Sequence, residues 1–248
     1  MIVCKSKREI EYLKRAGSLA ARAQEKMAEI IGPGITTREI DRLAEEFIIK
    51  NGARPAFKGY RGFPASVCTS VNNEVVHGIP GDRVLKEGDL ISLDVGTIID
   101  GFYGDCARTV PVGIVSDEAE HLIEVTRASL QRGISRACQG GRLTDISHAI
   151  QEYAESKGYS VVRDYVGHGI GRSMHEAPQI PNFGPPNRGP RLRRGMTLAI
   201  EPMVNVGGYE VRTLEDGWTV VTVDGTLSAH FEDTIVIDGD TAQVLTQP

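Results

Sequence analysis

The chain repeats itself at an offset of about 106 residues, and that periodicity restricts the folds open to it more than any single motif does. Ile40 to Gly52 and Ile146 to Gly158 have equal length, helical apolar spacing and a terminal glycine, at an offset of 106. LKEGDLISLD (Leu85 to Asp94) aligns with LRRGMTLAIE (Leu192 to Glu201) at an offset of 107, setting Asp94 against Glu201. Each copy runs helix, helix, strands. Two such halves, neither able to cover its own strands, pack the strands together with helices outside. The expectation is a single α+β domain over residues 1–248, with pseudo-twofold-related halves at about 1–112 and 113–248 and no linker between them.

Local signals fill in the repeat. Ser6-x-x-Glu9 and Thr36-x-x-Glu39 are capping boxes that open helices. The first carries Ile10, Leu13, Ala16, Ala20, Met27 and Ile31 on one stripe, and the second carries Ile40, Leu43, Ala44 and Phe47. Ser116 caps a third helix, with Leu122, Val125, Ser129, Ile134 and Ala137 inward. Thr144 is the predicted cap of a fourth, with Ile146, Ala149, Ile150 and Tyr153 inward. Gly207-Gly208, Asp216-Gly217 and Asp224-Gly225 mark turns between later short strands. The segment from Pro178 to Pro190 holds five prolines and is a stiff loop expected to join a site.

Within the first half lies DVGTIIDGFYGDCART, Asp94 to Thr109. An Asp-Gly pair between apolar runs signals a hairpin, because the favoured two-residue turn needs positive φ at both positions. A turn at Asp100-Gly101 pairs Ile99 with Phe102 and Gly96 with Asp105. Asp94 then shares a face with Asp105, as a diagonal neighbour roughly 7–8 Å away at Cα. Two carboxylates so placed repel each other unless they are solvated or share a cation.

Composition narrows the partners. The chain is 248 residues long, 40% hydrophobic and 25% charged, which is ordinary for a globular protein. A net charge of −5, with no block of like charge, argues against nucleic acid. No apolar run reaches the roughly 18–20 residues of a membrane span, and the charged N-terminal stretch lacks a signal-peptide core. Cys4, Cys68, Cys106 and Cys138 have no CxxC spacing and read as reduced thiols of a cytoplasmic protein. Cys4, Cys106 and Cys138 are expected to be packing residues, and His121 and His148 surface residues on helices.

Other acids and histidines recur in telling contexts. Gly167-His168-Gly169-Ile170-Gly171 sets a histidine among glycines, where backbone can approach a ligand, and His175-Glu176 follows. Glu232 shares a strand face with Thr234 and Val236 in HFEDTIVI. Each has a plain structural explanation when taken alone. Together, Asp94, Asp105, Glu201 and Glu232 occupy strands that should be half buried, with no compensating Lys or Arg, a costly arrangement unless they bind metal. Four carboxylates and one imidazole suit Mn, Fe, Co or Zn. They suffice for two ions, which about 3.5–4 Å apart would activate a water and stabilise an oxyanion.

The set Asp94-x10-Asp105, HGIGRSMHEAP (His168 to Pro178), IEPM ending at Met203 and HFEDT around Glu232 resembles the pita-bread metallopeptidases. GYRGFPASVCTSVNNEVVHGIP (Gly59 to Pro80), with the single Trp218, is similar to the type I methionine aminopeptidases among them. The resemblance spans essentially the whole chain. It implies the pita-bread fold, in which two pseudo-twofold-related halves share a central curved antiparallel sheet. It also implies two divalent ions (Co, Mn, Fe or Zn). Asp94 would chelate one, His168 and Glu201 would bind the other, and Asp105 and Glu232 would bridge both. Glu201 would take the proton of a metal-bridging water as it attacks the first peptide bond. His77 and His175 would contact substrate backbone and the tetrahedral centre. A methionine pocket would form from Tyr60, Phe63, Cys68 and Trp218, with Phe57 and Met174 at its wall, soft contacts that suit a thioether. The implied activity removes initiator methionine from nascent polypeptides when the second residue is small. The substrate N-termini are its partners, the ribosome is a candidate partner, and the chain is expected to be monomeric.

Several positions depart from the family pattern. Phe57 stands where Cys is familiar, Met174 where Phe is usual, Val76 where Cys is frequent and His230 where Gln is frequent. The first two bear on pocket shape. His230 is expected to share the face of Glu232, either as a donor beside the ligands or, as the lesser alternative, as a further metal ligand. Two rival readings are an Xaa-Pro peptidase and a non-catalytic binding protein on the same scaffold. The first usually carries an additional N-terminal domain, whereas this chain begins with the first catalytic-half helix; the second typically loses metal ligands that are all present here.

Overall fold

A computed structural model describes residues 2–248. Helix α1 (Lys7–Ala28) starts where its capping box predicts. The Ser6 hydroxyl accepts the Glu9 N–H at 3.4 Å, and the Glu9 carboxylate accepts the Ser6 N–H at 2.9 Å. Thr36 and Glu39 do the same for α2 (Thr37–Lys50), at 3.3 and 2.8 Å. Helix α3 (Asp117–Ile134) follows Ser116 and carries Asp117, Glu118 and Glu120 in its first turn, where negative charge suits the helix dipole. Helix α4 (Leu143–Ser156) starts differently from the expectation, with Arg142 rather than Thr144 at its N-cap. The Asp145 carboxylate accepts the Arg142 N–H at 2.9 Å, and the carbonyls of Pro190 and Arg188 accept the amides of Leu143 and Thr144. Tertiary acceptors thus replace the side-chain cap, and the Thr144 hydroxyl instead accepts the Arg188 N–H at 2.8 Å.

The Asp-Gly turn sets the central register as predicted. Asp100 and Gly101 have φ of 52° and 80°, and strands Leu90–Ile99 and Phe102–Pro111 pair Ile99 with Phe102 and Gly96 with Asp105. Leu93, Val95 and Cys106 pack against α1 and α2. Asp94, Gly96 and Asp105 therefore point to the opposite face.

Nine strands make one antiparallel sheet. Its order is Arg54–Pro55, Leu90–Ile99, Phe102–Pro111, Glu232–Asp238, Thr197–Ile200, Gly167–Gly169 and Glu176–Ile180, with Val67–Val71 and Thr241–Val244 as added strands. The halves join where Phe102–Pro111 pairs with Glu232–Asp238, Glu232 lying opposite Ala107. The order is mirrored about this seam, so Asp94 and Glu201 belong to corresponding places, and so do Asp105 and Glu232. The second equivalence is invisible at the repeat offset. Residues 203–231 leave the sheet to form four short strands of two smaller sheets, where the first half has only a two-residue turn. Glu201 follows the strand Thr197–Ile200 rather than lying inside it as expected, because Pro202 has no N–H to extend the ladder.

Each helix pair covers its own half of the sheet. Met27, Ile40 and Ile48 pack with Ile91, Leu93 and Val95, while Leu130, Ile146 and Ile150 pack with Leu198, Ile200 and Ile235. Burying each such side chain contributes about 1.5–3 kcal/mol. Gly104 permits the closest contact, since a Cβ there would overlap the α1 backbone at Ala16 and Gly17. The Thr97 hydroxyl donates to the Ala16 carbonyl at 2.8 Å beside it. Cys106 is buried and Cys138 half-buried, but Cys4 is exposed rather than packed, because the arm ahead of α1 turns Lys5 inward instead. His121 is exposed beside the Tyr159 hydroxyl, and His148 is half-buried. Gly104→Ala should lower stability by about 1–3 kcal/mol through overpacking. Urea unfolding measures this, and an unchanged midpoint would contradict the backbone contact.

Candidate active site

Four carboxylates and an imidazole meet on the sheet face opposite the helices. Asp94 sits mid-strand across from Cys68 and Ala107, Asp105 across from Gly96, and Glu232 starts the seam strand. His168 lies on Gly167–Gly169, opposite Ala199. Asp105, His168 and Glu232 each offer a ligand atom within 4.8 Å of the others, and all three are buried. Glu201 brings Oε1 to 3.6 Å from His168 Nε2 and Oε2 to 3.6 Å from His230 Nε2. Asn182, from the proline-rich loop, donates to the Glu201 carbonyl at 3.0 Å. His230 reaches this position from a separate short strand, Ser228–His230, with Phe231 interrupting the strand that Glu232 begins.

The electrostatics of this cluster are unbalanced. Burial pushes Asp94 up to about 7 and Glu201 up to about 8. Burial, followed by carboxylate neighbours, pushes Asp105 and Glu232 well above the usual range. Among the described residues no Lys or Arg forms an ion pair with any of the four. Asp94 Oδ1, Asp105 Oδ1, Glu232 Oε1 and His230 Nε2 are buried without a hydrogen-bond partner. His168 Nδ1 donates to the Gly169 carbonyl at 2.9 Å, which leaves a lone pair on Nε2 facing the carboxylates.

A cavity of about 340 Å³ opens onto these groups. Phe57, Phe63, Cys68 and Met174 form a buried apolar cluster along it, with Tyr60 and Trp218 at its edge. Phe63 and Trp218 meet edge to face at 5.1 Å. Burial, with Asp94 next, raises the Cys68 thiol, so it lines the wall protonated. His77 has φ of 60° and stands edge-on to Tyr165 and Trp218 at 5.5 and 6.2 Å. Burial lowers both His77 and His168 to about 4. The exposed His175 ring lies 4.2 Å from that of His168, and its Nδ1 is 2.8 Å from the Tyr60 hydroxyl. Every site residue named from the sequence lines this one cavity. The cavity also has Arg61, Val76, Asp164, Tyr165, Val166 and Gln179 on its walls. Val76 appears in the sequence reading only as a departure. Asp164 and Tyr165 lie just before the glycine-flanked histidine, a proximity that could have flagged them. Arg61 lies inside the stretch Gly59 to Pro80, where the sequence reading assigns it no role.

The family model for metallopeptidase family M24 matches residues 11–239. The chain is 56% identical to methionine aminopeptidase 1 of Bacillus subtilis, covering 100% of both chains. It is also 56% identical to the methionine aminopeptidase of Clostridium perfringens, covering 99% of both. The chain belongs to metallopeptidase family M24 and, within it, to the methionine aminopeptidases. The crystal structure of methionine aminopeptidase from Thermotoga maritima superposes with a TM-score of 0.99 at 50% identity, covering 100% of both chains. Prolidase from Pyrococcus furiosus, at 24% identity and a TM-score of 0.82, shares the pita-bread fold and is covered over 66% of its length.

Membership in the M24 metallopeptidases implies divalent metal, and the donors fit one. The unpartnered carboxylate oxygens and the free Nε2 of His168 supply hard and borderline ligands with no competing cation. A carboxyl whose pKa is higher folded than unfolded gives stability that is full below the unfolded value and lost as pH rises through the folded one. His77 and His168, lowered to about 4, contribute with the opposite sign and add stability as pH rises to about 6.5. The metal-free protein should therefore lose stability chiefly between about pH 6.5 and pH 8, by up to roughly 1.4 kcal/mol per pH unit for each such carboxyl. Thermal melting of chelator-treated protein at about pH 6.5 and pH 8 measures this. Added Mn or Co should raise the melting temperature more at pH 8, and equal melting at both pH values without metal would contradict the buried cluster.

Proposed function

We propose that this chain is a methionyl aminopeptidase that cleaves initiator methionine from nascent polypeptides whose second residue is small. The observation carrying this reading is the juxtaposition of a buried apolar pocket with the buried carboxylate cluster. All these side chains come from one chain, so we read it as a single catalytic domain that works as a monomer. Among the described residues no helix is long and apolar enough to cross a membrane. Nascent-chain substrates place the work in the cytoplasm, with the ribosome as a candidate partner.

In this reading Asp94, Asp105, His168, Glu201 and Glu232 would hold two divalent ions of the Co, Mn, Fe or Zn class. When bound, the ions would supply Lewis-acid polarisation of the scissile carbonyl and a more acidic water. The substrate methionine enters among Phe57, Tyr60, Phe63, Cys68, Met174 and Trp218, where polarizable contacts hold a thioether. Glu201 accepts the proton of the attacking water at a carboxylate oxygen as the C–O bond forms. It returns that proton to the leaving amine as the C–N bond breaks. The Tyr60 hydroxyl lies 2.8 Å from His175 Nδ1; with the hydroxyl as donor, His175 keeps its proton on Nε2 to donate to the developing oxyanion. His77, neutral at pH 7, donates to the substrate backbone.

Hydrolysis of Met-Ala-Ser and of Ala-Pro peptides, with metal removed and restored, tests the assignment. Metal-dependent cleavage of Met-Ala-Ser alone is expected; cleavage of only the proline peptide would sink it. Asp105→Asn should lower kcat by at least about 10²–10³-fold and reduce bound-metal stoichiometry with the fold intact. Full activity in that variant would remove Asp105 from the metal set. Tyr60→Phe should lower kcat by about 10–100-fold through loss of the His175 orientation, and steady-state kinetics with unchanged parameters would argue against that coupling.

A further inference from the structure

The loop Gly171–Glu176 carries Met174 and His175 to the cavity, and the N-terminal arm holds it from behind. Lys5 is buried, with its ammonium 2.5 Å from Glu176 Oε2. The other oxygen, Glu176 Oε1, accepts the N–H groups of Arg172 and Ser173 at 2.9 and 3.2 Å. Glu176 thus caps its own loop, and Lys5 neutralises the cap. The absence of a side chain at Gly171 opens the path for the lysine, since a Cβ there would overlap Lys5 Cε and lie 2.7 Å from Nζ. The arm is itself fixed, as the Lys5 N–H donates to the Gly195 carbonyl at 2.6 Å. Two further contacts clamp the loop: Tyr103 N–H donates to the Gly171 carbonyl at 2.9 Å, and Arg172 lies over Phe102 at 4.3 Å.

We propose that Lys5 is a positioning residue for the substrate pocket. Its ion pair with Glu176 holds the loop in the shape that sets Met174 into the apolar wall and His175 against His168. The inference rests on the reading of that pocket as the methionine site. A carboxylate that is left partly buried without its cation draws water or swings outward. Either movement releases the Arg172 and Ser173 amides and shifts the two residues that follow them. Neither Lys5 nor Glu176 needs to touch substrate for this.

The test is Lys5→Met, which keeps the apolar stem and removes the charge. With metal-loaded protein, kcat/KM for Met-Ala-Ser should fall about tenfold, because small displacements at a reacting centre are costly. The preference for Met-Ala-Ser over Leu-Ala-Ser should narrow severalfold, since Met174 shapes the pocket wall. Bound-metal stoichiometry should not change, as no ligand lies on the loop. Lys5→Met/Glu176→Gln should recover much of the preference, because the neutral amide still accepts from Arg172 and Ser173. An unchanged preference in Lys5→Met, an equal loss for both peptides, or no recovery in the double variant would each overturn the proposal. If Lys5→Met does not fold, Glu176→Gln breaks the pair from the other side and must narrow the same preference. Hydrogen exchange at the Arg172 and Ser173 amides gives a readout independent of cleavage. It should quicken about tenfold in Lys5→Met, and unchanged exchange would overturn the inference even in a protein that cleaves no peptide. Wild-type protein that cleaves neither peptide, with exchange quickened as stated, would instead sink the aminopeptidase assignment and leave the loop anchor standing.

Discussion

Mutual repulsion among four carboxylates in a buried cleft is the constraint on which the rest of the structure depends. Taking ionised groups out of water without partners costs far more than any single contact in a protein returns. Among the described residues no Lys or Arg offsets them, and three of their oxygens have no hydrogen-bond donor. In the absence of an ion the groups relieve the strain by holding protons, which is what the raised values of Asp94 and Glu201 express. The fold must therefore hold a locally unfavourable cluster together by means unrelated to it. The helix pairs do so from the far side of the sheet, through apolar packing that leaves the opposite face to the acids. Metal binding then converts a destabilising arrangement into a stabilising one, so affinity and fold stability are linked.

The groups divide by how rigidly they are held. Asp94, Asp105, His168 and Glu232 are strand residues whose backbones are locked in ladder hydrogen bonds, and Glu201 follows a strand directly. His77 and His175 belong to segments between elements, His77 with positive φ. Such a division suits the chemistry. Ligand geometry tolerates little displacement and the ligands sit on or directly after strands, whereas His77 and His175, on connecting segments, depend on other contacts to hold their positions. It also explains why the loop with His175 needs anchors of its own.

Legibility in the sequence followed the range of the interactions. The hairpin register was readable because Asp100 and Gly101 determine it locally, and with it the shared face of Asp94 and Asp105. The repeat exposed the correspondence of Asp94 with Glu201, since both lie in the segments that kept their spacing. It could not expose that of Asp105 with Glu232, because the excursion over residues 203–231 displaced one member. Thr144 misled because a threonine near a helix start is an ordinary cap signal, while the actual acceptors come from a loop more than 40 residues away. Arg61 went unnoticed for a similar reason. Its place at the cavity is tertiary, and nothing in its spacing or type announces it.

The pocket and the carboxylate cluster are also joined through one residue without a side chain. Gly96 lies opposite Asp105, and a Cβ added there would come within 2.7 Å of the Phe57 ring and 2.8 Å of Ala56 Cβ. Phe57 is the position where the family's familiar residue is smaller, so its ring fits only because the strand beside it is bare. The same bare position lets the apolar wall approach the acids without an intervening side chain. A substrate methionine seated against Phe57 is then held close to the groups that act on its peptide bond. Specificity and catalysis would accordingly be difficult to alter separately at this point. Enlarging residue 96 would press Phe57 into the pocket and disturb the pairing that orients Asp105, whereas shrinking Phe57 would open a cavity next to the most strongly repelling carboxylates and admit water to them.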